Sequence, residues 1–300
     1  MAEHPSTAAT GPGAKPVVRR NFLPRIGVRG LGLAAWIAAF ALALVVLMAL
    51  FAPLLSPYDP IAMNPMERLA DWSLAHPFGT DAYGRDVFSR TLYGARTSLI
   101  VGLGAALVAV LIGLPLGLLS GFFRTLDAIL MRIMDGLMAI PAILLAIAIV
   151  ALVGSSLWTV LVAITIPEIP RVVRLVRSVV LSAREEPYVE AAITVGSSLP
   201  KIMWKHLAPN TVAPLIVQAT YVCASAILTE AILSFLGAGI GTETPSWGNI
   251  MSEGRIYFQL KPSLIFWPGL FLSITILAIN ILGDTARDAL DPKLGKRRQD

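Results

Sequence analysis

The feature that most constrains this 300-residue chain is a series of long windows without a single Asp, Glu, Lys or Arg. There are 29 such residues between Arg29 and Asp59, 27 between Arg96 and Arg124, and 32 between Asp135 and Glu168. A further 24 lie between Lys205 and Glu230, which His206 trims by one, and 22 between Lys261 and Asp284. A helix that crosses the hydrocarbon core of a bilayer needs about 20 apolar residues at about 1.5 Å each. Every window is long enough. Composition points the same way, with 56% hydrophobic and 14% charged residues and a mean hydropathy of +0.72, against about 25% charged in a soluble domain. A soluble enzyme with one core, a disordered chain and a fibrous repeat are excluded. The one cysteine, Cys223, excludes a disulfide framework and a cysteine-based zinc site; it reads as a small apolar packing residue.

The 32-residue window is too long for one helix and too short for two complete ones. Gly154-Ser155-Ser156 divides it, which gives six spans near 31–52, 97–121, 133–153, 157–176, 208–236 and 263–283. Pro167 and Pro170 are expected to kink the fourth or end it early. With the N-terminus inside, 18 basic residues fall on the inner side: five before span one, two after span two, six after span four and five in the tail. The remaining six of the 24 lie outside. This bias follows the positive-inside rule. It predicts an all-α integral membrane protein with both termini cytoplasmic. The net charge of +5 flanks apolar segments, so membrane lipid and not nucleic acid is the expected contact. The first segment is too long for a signal-peptide core and reads as an uncleaved anchor. The expected organisation is a disordered basic cytoplasmic tail at 1–29 and a first span with an extracytoplasmic segment at 30–96. A five-span core follows at 97–285, and a cytoplasmic tail at 286–300.

Catalytic and motor chemistry are missing from the sequence. There is no G-x-x-x-x-G-K-[ST] to cradle ATP phosphates, no H-E-x-x-H and no G-x-S-x-G. The chain reads as no enzyme. Glu168 and Glu230 are the acidic candidates for an ion relay, both near expected span ends. A capped or paired residue near the outer face is the favoured reading of Glu230 over a substrate-path carboxylate. Gly113, Gly117 and Gly121 recur every four residues around Pro115 and suit close helix packing; a surface that slides during transport is the alternative.

Residues 177–207 are far longer than a loop joining adjacent helices needs to be. Pro187 suits the first turn of a short helix, Gly196 can end it at positive φ, and Ser198-Leu199-Pro200 starts another. The expected result is a short helix, a sharp bend and a second helix across the cytoplasmic face. An interfacial helix on lipid headgroups is the bland alternative. The residues Glu190-Ala191-Ala192, Gly196, Ile202 and His206-Leu207-Ala208-Pro209-Asn210 resemble the EAA loop of binding-protein-dependent ABC importer permeases. The usual Leu-Pro is Ala208-Pro209 here. The resemblance implies that Glu190, Ala191, Ala192, Gly196, Ile202 and His206 belong to a coupling helix that docks on an ATPase subunit.

Two outer segments narrow the resemblance. His76-Pro77-Phe78-Gly79-Thr80-Asp81 through Arg85-Asp86-Val87-Phe88-Ser89-Arg90 reads as a short interfacial helix capped by Thr80 or Asp81, with Val87 and Phe88 on its apolar side and Arg85, Asp86 and Arg90 on its polar side. Glu230 to Gly237 is followed by Thr244-Pro245-Ser246-Trp247, with Trp247 as an interface anchor. With Leu282-Gly283-Asp284 through Asp291-Pro292-Lys293, the order and spacing are similar to the C-type permease of the dipeptide/oligopeptide/nickel importer family. The likeness covers roughly residues 30–293. It implies a type I importer permease fold in a bacterial inner membrane, a heterodimer with a B-type permease, two ATPase subunits and an extracytoplasmic binding protein. ATP and Mg would be held by the ATPase subunits, with no cofactor or metal in this chain. Asp81, Arg85, Asp86 and Trp247 would face the binding protein. Peptide is the expected cargo, with nickel, glutathione or opines as alternatives. A gradient-driven carrier and a lipid-modifying enzyme are the competing classes. Arg171, Arg174 and Arg177 share one helix side and are expected to meet anionic headgroups, or else the ATPase.

Overall fold

The computed structural model describes residues 32–290. The 1–29 tail lies outside the described residues, as do residues 291–300 of the C-terminal tail. Among the described residues the only β contact is an isolated antiparallel bridge between Thr80 and Asp86; everything else of regular structure is helical. The helices are α1 (Leu33–Leu50), α2 (Ala52–Leu55), α3 (Val87–Phe122), α4 (Arg124–Ala139), α5 (Ala142–Val153) and α6 (Leu157–Ala183). They continue with α7 (Pro187–Thr194), α8 (Leu199–Lys201), α9 (Ala208–Phe235), α10 (Trp247–Gly254) and α11 (Ser263–Leu290).

Four helical stretches are single, long and apolar enough to cross a bilayer: α1, α3, the run Leu199–Phe235 and α11. The pair α4–α5 makes a fifth if it is counted as one broken span, bent by 85°. The sequence reading placed a single helix at 133–153. The break falls at Ile140, which is extended (φ −91°, ψ 128°), because the ring of Pro141 pushes the preceding residue out of the helical region. Glu168, Arg171, Arg174 and Arg177 dilute the hydropathy of α6, although its 27 residues span about 40 Å.

Two further boundaries differ from expectation. α6 passes through Pro167 and Pro170, as the expected 157–176 span does, but does not end early and continues to Ala183. Its buried Val160, Ile164, Val172, Val173, Val176 and Val180 hold it against its neighbours on both sides of the prolines. The short interfacial helix expected around residues 80–90 does not exist as a separate element. Asp86, not Thr80 or Asp81, is the N-cap, accepting from the Ser89 backbone N–H at 2.7 Å. From there α3 continues as one 36-residue helix, about 54 Å long, since no breaker separates Val87 from the span. The expected division at Gly154 is present, with φ 101° at Gly154 and Ser156 capping α6.

The centre of the bundle is the α3–α6 seam. A Cβ at Gly113 would lie 2.5 Å from Val172 Cγ1, one at Gly117 2.5 Å from Val176 Cβ, and one at Gly121 2.6 Å from Val180 Cβ. Only hydrogen fits at these places, and the two backbones close on each other accordingly. In lipid such packing replaces the exclusion of water as the force between helices. The contact numbers rise together along both helices, so α3 and α6 run parallel. Gly102 meets Ile227 while Ser98 reaches Glu230, so α9 runs antiparallel to α3.

Candidate functional site

At one end of the bundle, residues 184–207 form a compact projection. Pro187 opens α7 after Glu186, and Val189 is its buried anchor. The helix ends as the sequence requires. Gly196 takes φ +78°, its N–H donates to Ile193 O at 2.9 Å, and Ser197 N–H donates to Ala192 O at 3.0 Å. This left-handed close needs glycine. α8 follows, then a π-helical turn over Ile202–Leu207 that runs straight into α9. Glu190, Ala191 and Gly196 are exposed and Ala192 is half-buried. Ile202 is buried beneath them, and His206 is half-buried beside Tyr188, with ring centroids 6.4 Å apart. Val195 (85% exposed), Trp204, Ile193 and Leu199 extend the projecting surface with uncovered apolar side chains. Besides the continuity through the π turn, one side chain ties α7 to α9: Asn210 Nδ2 donates to Tyr188 Oη at 3.0 Å and to His206 O at 2.6 Å.

At the other end the structure relocates the outer residues singled out in the sequence. Asp81, Arg85, Asp86 and Trp247 are all buried, so their side chains organise the outer segment and do not form its surface. Asp81 accepts from the backbone N–H groups of Tyr83 and Arg85 at 2.8 and 3.0 Å. It also accepts from Arg85 Nε at 2.6 Å and Arg90 Nη1 at 2.8 Å. Arg85 and Arg90 both reach across to Glu253 on α10. Asp86 binds Ser89 and His76, the latter through Nδ1 at 2.9 Å. Trp247 is fully enclosed: its indole donates to Thr91 O at 3.1 Å, and its ring fills the space that Gly94 leaves open. Its burial makes it a bolt between α10 and α3, in place of a membrane-surface anchor. Burial pushes the Glu253 carboxyl up to about 7, against the pull of Arg85. Arg90 belongs to the polar side read from the sequence, but nothing there singles out Glu253 as its partner. Their pairing joins residues 163 positions apart, and only the fold brings them together.

The basic row on α6 is also partnered within the chain. Arg171 pairs with Glu168 at 3.0 Å, Arg174 with Asp135, and Arg177 makes a two-pronged contact with Asp127. The last two fasten α4 to α6, so these guanidinium groups are engaged within the chain. Glu230 is fully buried, accepting from Ser234 at 2.8 Å and Ser98 at 3.5 Å. This agrees with its reading as a satisfied residue. No group of three or more His, Cys, Asp or Glu placed to hold a metal occurs among the described residues.

Comparison with known proteins adds independent findings. Residues 113–296 match the family described as binding-protein-dependent transport system inner membrane component, and residues 34–77 match the N-terminal TM domain of oligopeptide transport permease C. The chain is 54% identical over 252 residues to a probable peptide ABC transporter permease protein of Sinorhizobium fredii, covering 84% of this chain and 86% of that one. It is 46% identical over 250 residues to a dipeptide transport system permease protein of Alkalihalophilus pseudofirmus, covering 83% and 82%. It is 40% identical over 264 residues to an oligopeptide transport system permease protein of Bacillus subtilis, covering 87% and 86%. Among solved structures, a chain of the inward-facing MetNI methionine ABC transporter superposes with a TM-score of 0.52 at 22% identity, covering 67% of this chain and 97% of that chain. That likeness concerns the fold.

Proposed function

This chain belongs to the family of binding-protein-dependent transport system inner membrane components, and we propose that it is the C-type permease of a peptide importer. In this reading it forms a heterodimer with a B-type permease in the bacterial inner membrane. Two ATPase subunits dock from inside and a binding protein delivers cargo from outside. The observation that carries the reading is the 187–207 projection. A short helix with exposed Glu190 and Ala191 is closed by Gly196 and rooted through Ile202, so it offers a firm knob to a partner while its base continues into a span. Peptide is favoured as cargo because relatives at 54%, 46% and 40% identity are named for peptides.

The topology we propose has six spans with both ends cytoplasmic, α4–α5 as the broken third and α6 as the fourth. The parallel run of α3 and α6 and the antiparallel run of α9 support it, since spans two and four must point the same way and span five the opposite way. The basic residues biased to the inner side support the same orientation. ATP-driven closure of the motor subunits would move the projection as a lever, and differential affinity of nucleotide for the two states would supply the work.

Reconstitution of the four-subunit complex with its binding protein tests this. Uptake of labelled trialanine should require ATP and the ATPase subunits, and a proton or sodium gradient alone should give none. Glu190→Lys should lower uptake per ATP hydrolysed several-fold while the chain still inserts. Gradient-driven accumulation by the permease pair without its ATPase would establish the carrier instead.

A further inference from the structure

One lateral surface of the bundle carries side chains that lipid would not accommodate. On α9, Asn210, Pro214, Gln218, Tyr221 and Ser225 recur every three or four residues and so share a side of the helix. Glu168, Arg171 and Leu175 do the same on the neighbouring α6. Against the α9 side lies a cavity of about 590 Å³, lined by Asn210, Pro214, Gln218 and Tyr221 of α9, by Leu175 of α6, and on its third side by Arg287 of α11. One helical turn from that cavity, Ser225 Oγ donates to Glu168 Oε1 at 2.9 Å. Arg171 Nη1 donates to both Glu168 oxygens, at 3.0 and 3.1 Å. Glu168 is buried, whereas the Arg171 side chain is 52% exposed. Glu168 sits about 17 Å along α6 from Leu157; with Leu157 at one edge of a hydrocarbon core of about 30 Å, that depth is near the middle. Ionised groups at such a depth normally face a protein interior or a water-filled route. The contrast is the exposed stripe Ile100, Leu103, Leu107 and Leu111 of α3, which is wholly apolar, as a lipid-facing surface should be.

We propose that the α6–α9 groove is this chain's wall of the solute route, and that Glu168 and Arg171 are the charge pair that the two ends of a peptide displace. This deepens the importer reading and rests on it. A peptide carries an ammonium and a carboxylate. Glu168 takes the first and Arg171 the second, and the pair re-forms when the solute leaves. The exchange gives up the Glu168–Arg171 pair and the hydration of the peptide's two ends for two new pairs, and that desolvation offsets the added pair, so a zwitterion is admitted without being held, as a conduit requires. Ser225 keeps the carboxylate oriented while Arg171 is engaged elsewhere. The inner end of the groove is Asn210, whose bond to Tyr188 joins the route directly to α7.

The test uses the complete reconstituted complex in a Cys223→Ala background, which removes the chain's one cysteine. Cysteine is placed singly at Gln218, Tyr221 or Ser225, with Leu107→Cys as the lipid-facing control, and a membrane-impermeant cationic thiol reagent is applied from the cytoplasmic side. Positions 218 and 221 should label at least tenfold faster than 107 without nucleotide, and slow at least fivefold in the vanadate-trapped complex. Labelling within twofold of the control in both states would overturn the groove as a route. In parallel, Glu168→Gln and Arg171→Gln should each cut trialanine uptake at least fivefold, with ATPase stimulation by loaded binding protein within twofold of the parent. Uptake equal to the parent in both variants would remove the pair from the route. A parent complex that imports no trialanine would instead defeat the peptide reading, and the labelling would still decide whether the groove is wet.

Discussion

Single residues in this chain act through the space they leave as much as through the groups they bring. Gly117 lies against Val176 Cβ and within 2.9 Å of the Val173 carbonyl, measured from where a Cβ would be. Gly117→Leu must therefore push α3 off α6, and overpacking of this kind costs about 1–3 kcal/mol. Gly136 on α4 has nothing within 4 Å, so Gly136→Ala should hold or raise the thermal midpoint in detergent while Gly117→Leu lowers it. Equal midpoints would mean that the seam is looser than its geometry. Glu253 gives a pH signature at the same scale. Its carboxyl is raised to about 7, first by burial, so between about 4.5 and about 7 the folded state holds a proton that the unfolded state has lost. The contribution to stability is complete below that window and falls as pH rises through it. The thermal midpoint should include a component that drops between pH 5 and 7 and then levels off. Glu253→Gln should remove that component, and an unchanged slope would show that another group is responsible.

Helices were legible in the sequence where their signal is local, and illegible where it depends on a distant partner. The charge-free windows located the apolar part of every long helix, and the Gly154 division and the Gly196 closure follow from backbone chemistry confined to a few residues. The break at Ile140–Pro141 was equally local: an X-Pro step sits inside an apolar run, and counting hydropathy alone passes over it. The 157–176 span already carried α6 through Pro167 and Pro170; its extension to Ala183 was not readable, because it comes from valines packed against other helices. Nor was the burial of Asp81, Arg85, Asp86 and Trp247. Polar sequence between spans looks like surface until Glu253 and Gly94, far along the chain, are brought beside it. The α4 helix shows what such distant pairing does. Its fastening to α6 rests on Asp127 with Arg177 and Asp135 with Arg174, while its far side carries exposed Ile129 and Ile133. Asp127→Asn combined with Asp135→Asn should free it, read as faster amide hydrogen exchange over 124–139 with little change over 157–176. Exchange that stays at the parent rate would show that Met134 and the chain ends hold α4 without the ion pairs.

Across the whole molecule, the two ends are built for different work. One end is a locked block in which buried charges bind residues 76–90 to α10. The opposite end is a projection whose buried residues anchor it and whose exposed ones form its surface. Transmission between a motor and a solute route needs a stiff element with two arrangements that both sites bias. The continuous run from α8 through the π turn into α9 offers one such element, and Tyr188 with Asn210 braces α7 against it. If that brace carries force, its loss should reduce the solute moved for each ATP and leave the hydrolysis itself running. Tyr188→Phe and Asn210→Ala should each lower trialanine uptake per ATP about threefold; a factor of that size corresponds to about 0.6 kcal/mol, within the range of a single hydrogen bond. Both substitutions remove the Tyr188–Asn210 bond and Asn210→Ala also removes the bond to His206 O, so the double variant should be no worse than Asn210→Ala alone. Losses that multiply in the double variant would mean that the two side chains act separately, and the brace would then be a packing detail and not part of the transmission.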